Sequence, residues 1–443
     1  MNLDDRLQNV SVIGAAGKMG SGIAVLIAQE MLRLKFENPD RIYRLNLIDV
    51  SEKRLDGLRD YIKSQFLRFA EKSIISLRER YKDRQDLVEN AEIVDAYIND
   101  GFKLLNFGTD LVMAKNSHLI FEAIIEDEKA KIKVYKSLKK IVSKDTFFLT
   151  NTSSIPIGYL DEKSGLDGRL IGYHFYNPPV VQKLVEVIHS KWTKDELKEI
   201  AVELGKRLRK TVVPSNDISG FIGNGHFMRD GLYALDEVMR LKGKYKLTGS
   251  IYIMNRVSQD FLLRPMGIFQ LIDYVGIDVF QCILKVMRKH LGDETLKHKL
   301  IDSMIKSGIK GGQYPDGSQK DGFLKYDKNR PVGIYDIRKN EYFMITDEWK
   351  NKIDKQIGPL PAGFTPWKGL LGDKDKEAKL KNHFSALKNM NTLGAELALN
   401  YLKKTKEIAE NLVKQKVANS ADDVNAVLTN GFYWLYGPIN DYI

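Results

Sequence analysis

The 443-residue sequence has a single cysteine, no apolar run near the length of a bilayer crossing, and none of the compositional bias of a disordered or fibrous chain. Cys282 alone excludes internal disulfides and cysteine-based metal clusters and suits a reducing compartment. It reads as a small buried hydrophobe, and no metal site is expected. Without the ~18 to 20 consecutive apolar residues that a spanning helix needs, no membrane span is expected. The opening "MNLDDRLQNV" has neither the apolar core of a signal peptide nor the Arg/Ser-rich character of a transit peptide, so a soluble cytoplasmic protein is expected. Lys and Arg outnumber Asp and Glu by 69 to 58, a net charge of +11, but no basic patch is interleaved with aromatics. Nucleic acid is therefore not an expected partner. The charges alternate in sign, as in "EKRLDGLRDYIKSQFLRFAEK", which is the pattern of a solvated helix face, while the surplus could also attract an anionic small substrate.

What is present suits a globular chain: 43% apolar and 29% charged residues over a length that calls for two or three domains. Short apolar runs such as "NVSVIG", "YRLNLIDV", "SHLIFEAII" and "TFFLTNTSS" alternate with helical spacing, which predicts a parallel sheet covered by helices over residues 1–213, with a helical arm at about 51–90. Past "TVVPSND" the spacing is helical and predicts a second domain over 214–326. "RPMGIFQLIDYVG" and the terminal "WLYGPINDYI" resemble one another, which suggests a second, partial helical copy over 381–443. The stretch 327–380, with "IGPLPAGFTPW", reads as a linker or irregular connection. The expected class is thus α/β plus all-α: a Rossmann-type doubly wound sheet, then a helical C-terminal domain with a partial repeat.

In "VSVIGAAGKMGSGIA" a strand runs into a turn and then a helix. Gly14, Gly17 and Gly20 would allow a tight turn and a close approach of a pyrophosphate to the helix N-terminus. Asp49 ends the second strand, where an acid accepts from ribose hydroxyls and repels a 2′-phosphate, favouring NAD over NADP; an ordinary strand-end acid is the other reading. If the chain "IGYHFYNPPVVQKLVEVI" reverses around Val180, His174 lies opposite Glu186. A carboxylate on one imidazole nitrogen leaves the other to take a proton, and a structural His–Glu pair is equally compatible with the spacing. Asn151 and Ser153 follow a strand, where ligands bind in open α/β sheets, and Asn224 falls early in the first helix of the second domain.

In these blocks the sequence resembles the L-3-hydroxyacyl-CoA dehydrogenase family of fatty-acid β-oxidation. "VIGAAGKMGSGIA", "FEAIIEDEKAK", "NTSSIPI", "YHFYNPPVVQKLVEVI", "DISGFIGN" and "RPMGIFQLIDYVG" occur in the family's order, and the likeness continues to "DGFLKY". The resemblance implies NAD-dependent oxidation of an L-3-hydroxyacyl-CoA thioester to the 3-ketoacyl-CoA. His174 would be the general base, Glu186 its orienting partner, and Ser153 and Asn224 the groups holding the substrate's oxygens. It adds Glu126, Lys131, Asn151 and Asn177 to the NAD contacts, and places CoA near the helical arm, with Arg68 and Lys72 as candidates. A repeated helical unit like that of longer bacterial members implies a monomer or weak homodimer, and hydratase or thiolase enzymes are the implied partners. The glycine turn is one residue longer than the family's usual form, Ser219 replaces a frequent Pro, and Gly225 follows Asn224. Two alternatives remain open at this point: a same-fold dehydrogenase of a small free 3-hydroxy acid, and a non-catalytic NAD-binding homologue.

Overall fold

Short runs of four to six residues, most of them buried along their length, form the strands of the first unit. In a computed structural model, which describes residues 1–314 and 317–442, they are β1 (Asn9–Ile13), β2 (Arg44–Ile48), β3 (Leu105–Gly108), β4 (Leu119–Glu122), β5 (Phe147–Thr150), β6 (Leu170–Phe175), β7 (Leu184–His189) and β8 (Thr211–Asn216). Pro315 and Asp316 of the Gly-rich run, and Ile443 at the end of the stretch expected to form a second copy, lie outside the described residues. Every residue of β4, β5 and β6 is buried, the signature of strands covered on both faces. The sheet order is β3-β2-β1-β4-β5-β6-β7-β8, parallel throughout except at β6 and β7. Its direction of growth reverses between β1 and β4, the switch point at which open α/β sheets bind ligands.

The helices follow the same logic. Glu52–Lys72 buries Leu55, Leu58, Ile62, Phe66 and Ala70, one stripe at helical spacing, and leaves its charges in water. Ser51 caps it by accepting from the Arg54 backbone N–H. Helices Ile74–Arg80 and Asn90–Phe102 complete the arm, and Phe66 packs against the bare Cα of Gly101.

By its internal packing the chain forms two units, Met1–Asp217 and Ile218–Ile443. In the second, the helical run Gly223–Arg256 breaks at Lys246, where φ is 59°. One apolar core extends from Phe227 to Tyr436. A buried polar cluster ties the helical run Gly223–Arg256 to helix Leu393–Lys414. Arg264 donates to Asp230 at 2.9 Å and to the Thr405 hydroxyl at 3.0 Å, Thr405 and Tyr401 donate to Asp230, and the Trp434 ring lies 3.9 Å from the guanidinium. Asp273 sits at the other end of this core. It accepts from the backbone N–H groups of Phe323 and Leu324 and from Tyr326, which folds "DGFLKY" back on helix Ile268–Val275. Burial pushes the Asp273 carboxyl up to about 8.

The stretch 327–380 corrects the expectation of a linker or irregular connection. β9 (Leu324–Asp327), β10 (Arg330–Asp336) and β11 (Glu341–Met344) form an antiparallel sheet, and helix Asp347–Ile357 follows. The alternating run "PVGIYDI", a turn at Asn340 with φ 56°, and the Thr346 cap on Trp349 are the local causes; the Pro and Gly residues of "IGPLPAGFTPW" lie beyond them. Cys282 is half-buried on helix Ile277–Leu291, less enclosed than expected. Among the described residues no helix is long and apolar enough to cross a membrane, and no cluster of three or more His, Cys, Asp or Glu residues could hold a metal ion.

Arg264 and Asp230 are 4% and 2% exposed, so removing one partner strands a buried charge. Arg264→Met should cost about 3–5 kcal/mol, read as a lower urea midpoint at an unchanged slope. A loss under about 1 kcal/mol would show that the core holds together without this pair.

Candidate active site

β1, β2, β4, β5 and β6 run in one direction, so their carboxyl ends share one edge. At the end of β1, Gly14 has φ +78°, and a Cβ there would stand 2.7 Å from the Ala123 carbonyl oxygen. Gly17 donates to the Gly14 carbonyl and opens helix Lys18–Glu37. A Cβ on Gly20 would fall 2.1 Å from the same carbonyl, so only glycine lets the helix lie this close to the strand. The longer turn is secured from the next strand: Asp49 Oδ2 accepts from Ala16 N at 3.2 Å, and Oδ1 accepts from Arg54 at 2.6 Å. A carboxylate has about four acceptor sites, so these two donors leave room for ribose hydroxyls. A cavity of about 510 Å³ opens here, lined by Gly14, Gly17, Asp49, Arg54 and apolar residues that include Leu111 and Ile124. A bare-Cα turn, an acid and an apolar slot fit the adenosine end of a dinucleotide.

β4 ends in Glu122, which is fully buried. It accepts from Lys131 at 2.7 Å, Tyr135 at 2.6 Å, Thr150 at 2.8 Å and the Ile124 backbone N–H. Lys131, 1% exposed, also lies 3.6 Å from Glu126. Glu126 in turn gathers the turn after β5: its Oε1 accepts from Ser153 N at 2.9 Å, Ser154 N at 3.0 Å and the hydroxyls of Thr152, Ser153 and Ser154. Burial acts to raise the Glu126 carboxyl, but the Lys131 charge and these donors outweigh it and hold it below its ordinary range. Asn151 anchors the end of β6, its side-chain oxygen accepting from Phe175 N at 2.9 Å. The polar groups of residues 152–154 are thus oriented by Glu126, in the loop after β4.

His174 and Glu186 are register partners across β6 and β7, as the reversal near Val180 predicts. His174 Nδ1 stands 3.2 Å from Glu186 Oε2, with the carboxylate fully buried. Tyr176 donates to the same oxygen at 2.7 Å. Asn177, half-buried, comes next and precedes Pro178 through a cis peptide. Asn224 lies in the other unit, half-buried at the start of helix Gly223–Arg256. Arg68 and Lys72 are both exposed on the solvent face of helix Glu52–Lys72. A more enclosed basic surface is nearby: a hollow of about 280 Å³ is lined by Phe69 and Arg80 of the arm and by Arg33, Lys183, Arg209 and Lys210. Burial lowers the Lys210 ammonium to about 8, and it donates to the Pro179 and Gln182 carbonyls in the loop between β6 and β7.

Sequence reasoning passes over Glu122, Arg54, Tyr176 and the basic hollow. Glu122 carries a readable signal, since a lone acid inside a buried apolar strand demands a partner. Tyr176 does too, because the i, i+2 spacing puts it on the face of His174.

The profile described as "3-hydroxyacyl-CoA dehydrogenase, NAD binding domain" matches residues 9–218, and that for the C-terminal domain matches 255–326. A Deinococcus radiodurans protein named "Probable 3-hydroxybutyryl-CoA dehydrogenase" is 31% identical over 316 residues, 71% of this chain and 99% of the relative. The chain belongs to the 3-hydroxyacyl-CoA dehydrogenase family. The pig mitochondrial hydroxyacyl-coenzyme A dehydrogenase is 28% identical, over 63% of this chain and 79% of that one. The crystal structure of 3-hydroxybutyryl-CoA dehydrogenase from Escherichia coli shares the fold over 98% of this chain and 90% of its own, with a TM-score of 0.65 and 20% identity. The coenzyme of the family's nucleotide-binding domain is NAD.

The depressed Glu126 carboxyl sets a pH dependence. Its stabilisation is fully present above the unfolded value of about 4.3 and is lost as pH falls through the lower folded value. Wild-type stability, followed by urea unfolding at stepped pH, should therefore fall more steeply below about pH 5 than that of Glu126→Gln. Parallel curves for the two proteins would contradict the assignment.

Proposed function

We propose that His174 and Glu186 form the proton-transfer pair in the NAD-dependent oxidation of an L-3-hydroxyacyl-CoA to the 3-ketoacyl-CoA. The observation that carries this reading is the 3.2 Å contact of His174 Nδ1 with a fully buried carboxylate, at the sheet edge that also holds the glycine turn and Asp49. With Nδ1 turned to Glu186, Nε2 is the atom that takes the substrate's hydroxyl proton, and Glu186 stabilises the imidazolium so formed. NAD, when bound, accepts the hydride that leaves C3. Loss of hydride and proton together turns the alcohol into the ketone, and in the reverse direction the imidazolium returns the proton.

The remaining groups orient. Gly14, Gly17 and Gly20 bring backbone close to the pyrophosphate, and Asp49 receives the ribose hydroxyls. Ser153 and Asn224 hold the substrate's oxygens, with Ser153 placed by Glu126. Glu126, Lys131, Asn151 and Asn177 are assigned to the cofactor; in Lys131 and Asn151 that role is exercised through the turns they brace. For the phosphates of CoA, the hollow at Arg33, Arg80, Arg209 and Lys210 is favoured over Arg68 and Lys72, because enclosure strengthens attraction to an anion and exposed helix charges are screened.

His174→Gln tests the pair. It should lower kcat by about 10² to 10⁴, the range for loss of a general base, with NADH binding retained. Turnover near that of the wild type would return the pair to a purely structural role.

A further inference from the structure

Two donors meet on one oxygen of Glu186. The Tyr176 hydroxyl donates to Oε2 at 2.7 Å and His174 Nδ1 lies 3.2 Å from the same atom, with the phenol and imidazole centroids 4.7 Å apart at 41°. Tyr176 thus holds the shorter contact to the carboxylate that serves His174. The other neighbours of Glu186 along and across the sheet are apolar: Val185 and Val187 flank it in β7, and Val213 faces it from β8. His174 and Tyr176 are titratable groups that both contact its carboxylate. Burial, and then the charge of Glu186, hold the phenol well above its ordinary pKa, so it stays a donor through the neutral range.

We propose that Tyr176 is a positioning residue that limits how strongly Glu186 stabilises the imidazolium of His174, and so keeps His174 competent as a base at lower pH than the His–Glu pair alone would allow. This rests on the proton-transfer reading above. A donor on a carboxylate oxygen stabilises the anion and draws on its acceptor capacity, leaving less for a second donor on the same atom. Tyr176 neither gives nor takes a proton in the reaction. The proton passes from the substrate hydroxyl to Nε2, and the phenol acts only through Glu186.

Tyr176→Phe removes the hydroxyl and keeps the ring. The acid limb of the kcat/KM profile for oxidation of 3-hydroxybutyryl-CoA should then move upward by about half a pH unit or more, with a loss of about threefold or more below the limb and little change on the plateau. The imidazole titration of His174, followed by NMR in the free protein, should move the same way. In a Glu186→Gln background the same change should leave that titration where it was. A limb and a titration that coincide with the wild type would overturn the proposal, as would a lower plateau without any movement of the limb. Should the Phe variant fail to fold, Tyr176→Leu also lacks the hydroxyl and must give the same upward movement. The NMR titration needs no turnover, so a wild-type protein inactive on hydroxyacyl-CoA would refute the reaction while the role of Tyr176 was still decided.

Discussion

Buried carboxylates that must be compensated are the constraint on which this structure depends. Taking an acid out of water is costly unless cations or N–H and O–H donors surround it. The first unit carries three such acids at or near one sheet edge, Asp49, Glu122 and Glu186, and a half-buried fourth, Glu126, and each is held by groups from other segments. Glu122 fixes Lys131, Tyr135 and Thr150, Glu126 fixes the 151–154 turn, and Asp49 fixes the glycine turn. The second unit uses the same device in Asp230 and Asp273, which fasten its helices and the small antiparallel sheet to one core.

This constraint links stability to chemistry. The donors that satisfy the acids are the backbone and side chains of the turns where a nucleotide and a substrate would sit, so satisfying a buried charge also orients the site. His174 is the clearest case. Glu186 is fully buried, and the imidazole is among the groups that reach its carboxylate. An imidazole held through Nδ1 is set in one tautomer with its other nitrogen turned outward for proton transfer.

Much of this was legible in the sequence, and the rest fails for identifiable reasons. The alternation of apolar runs and helical spacing revealed the sheet because fully buried strands leave a continuous apolar signal, as in "SHLIFEAII". The pairing of His174 with Glu186 followed from counting across a reversal, since strand side chains repeat every two residues. The hairpin β10–β11 was obscured because the Pro and Gly residues after it dominate the local composition. The partners of Glu126 were not legible, because Ser153 and Ser154 reach it through a crossover between strands and not through local spacing. Arg68 and Lys72 were drawn from helix charge alone, which cannot separate a solvent face from a hollow, whereas Arg80, Arg209 and Lys210 come together only in the fold.

The most direct test of the central claim is the near-ultraviolet absorbance of NADH mixed with acetoacetyl-CoA and the purified protein, with NADPH as the parallel coenzyme. The account predicts rapid loss of signal that depends on the protein and is faster with NADH, since a carboxylate at the position proposed for the adenosine ribose would repel a 2′-phosphate. NADH that binds but is not consumed, with acetoacetyl-CoA or longer 3-ketoacyl thioesters, would contradict it.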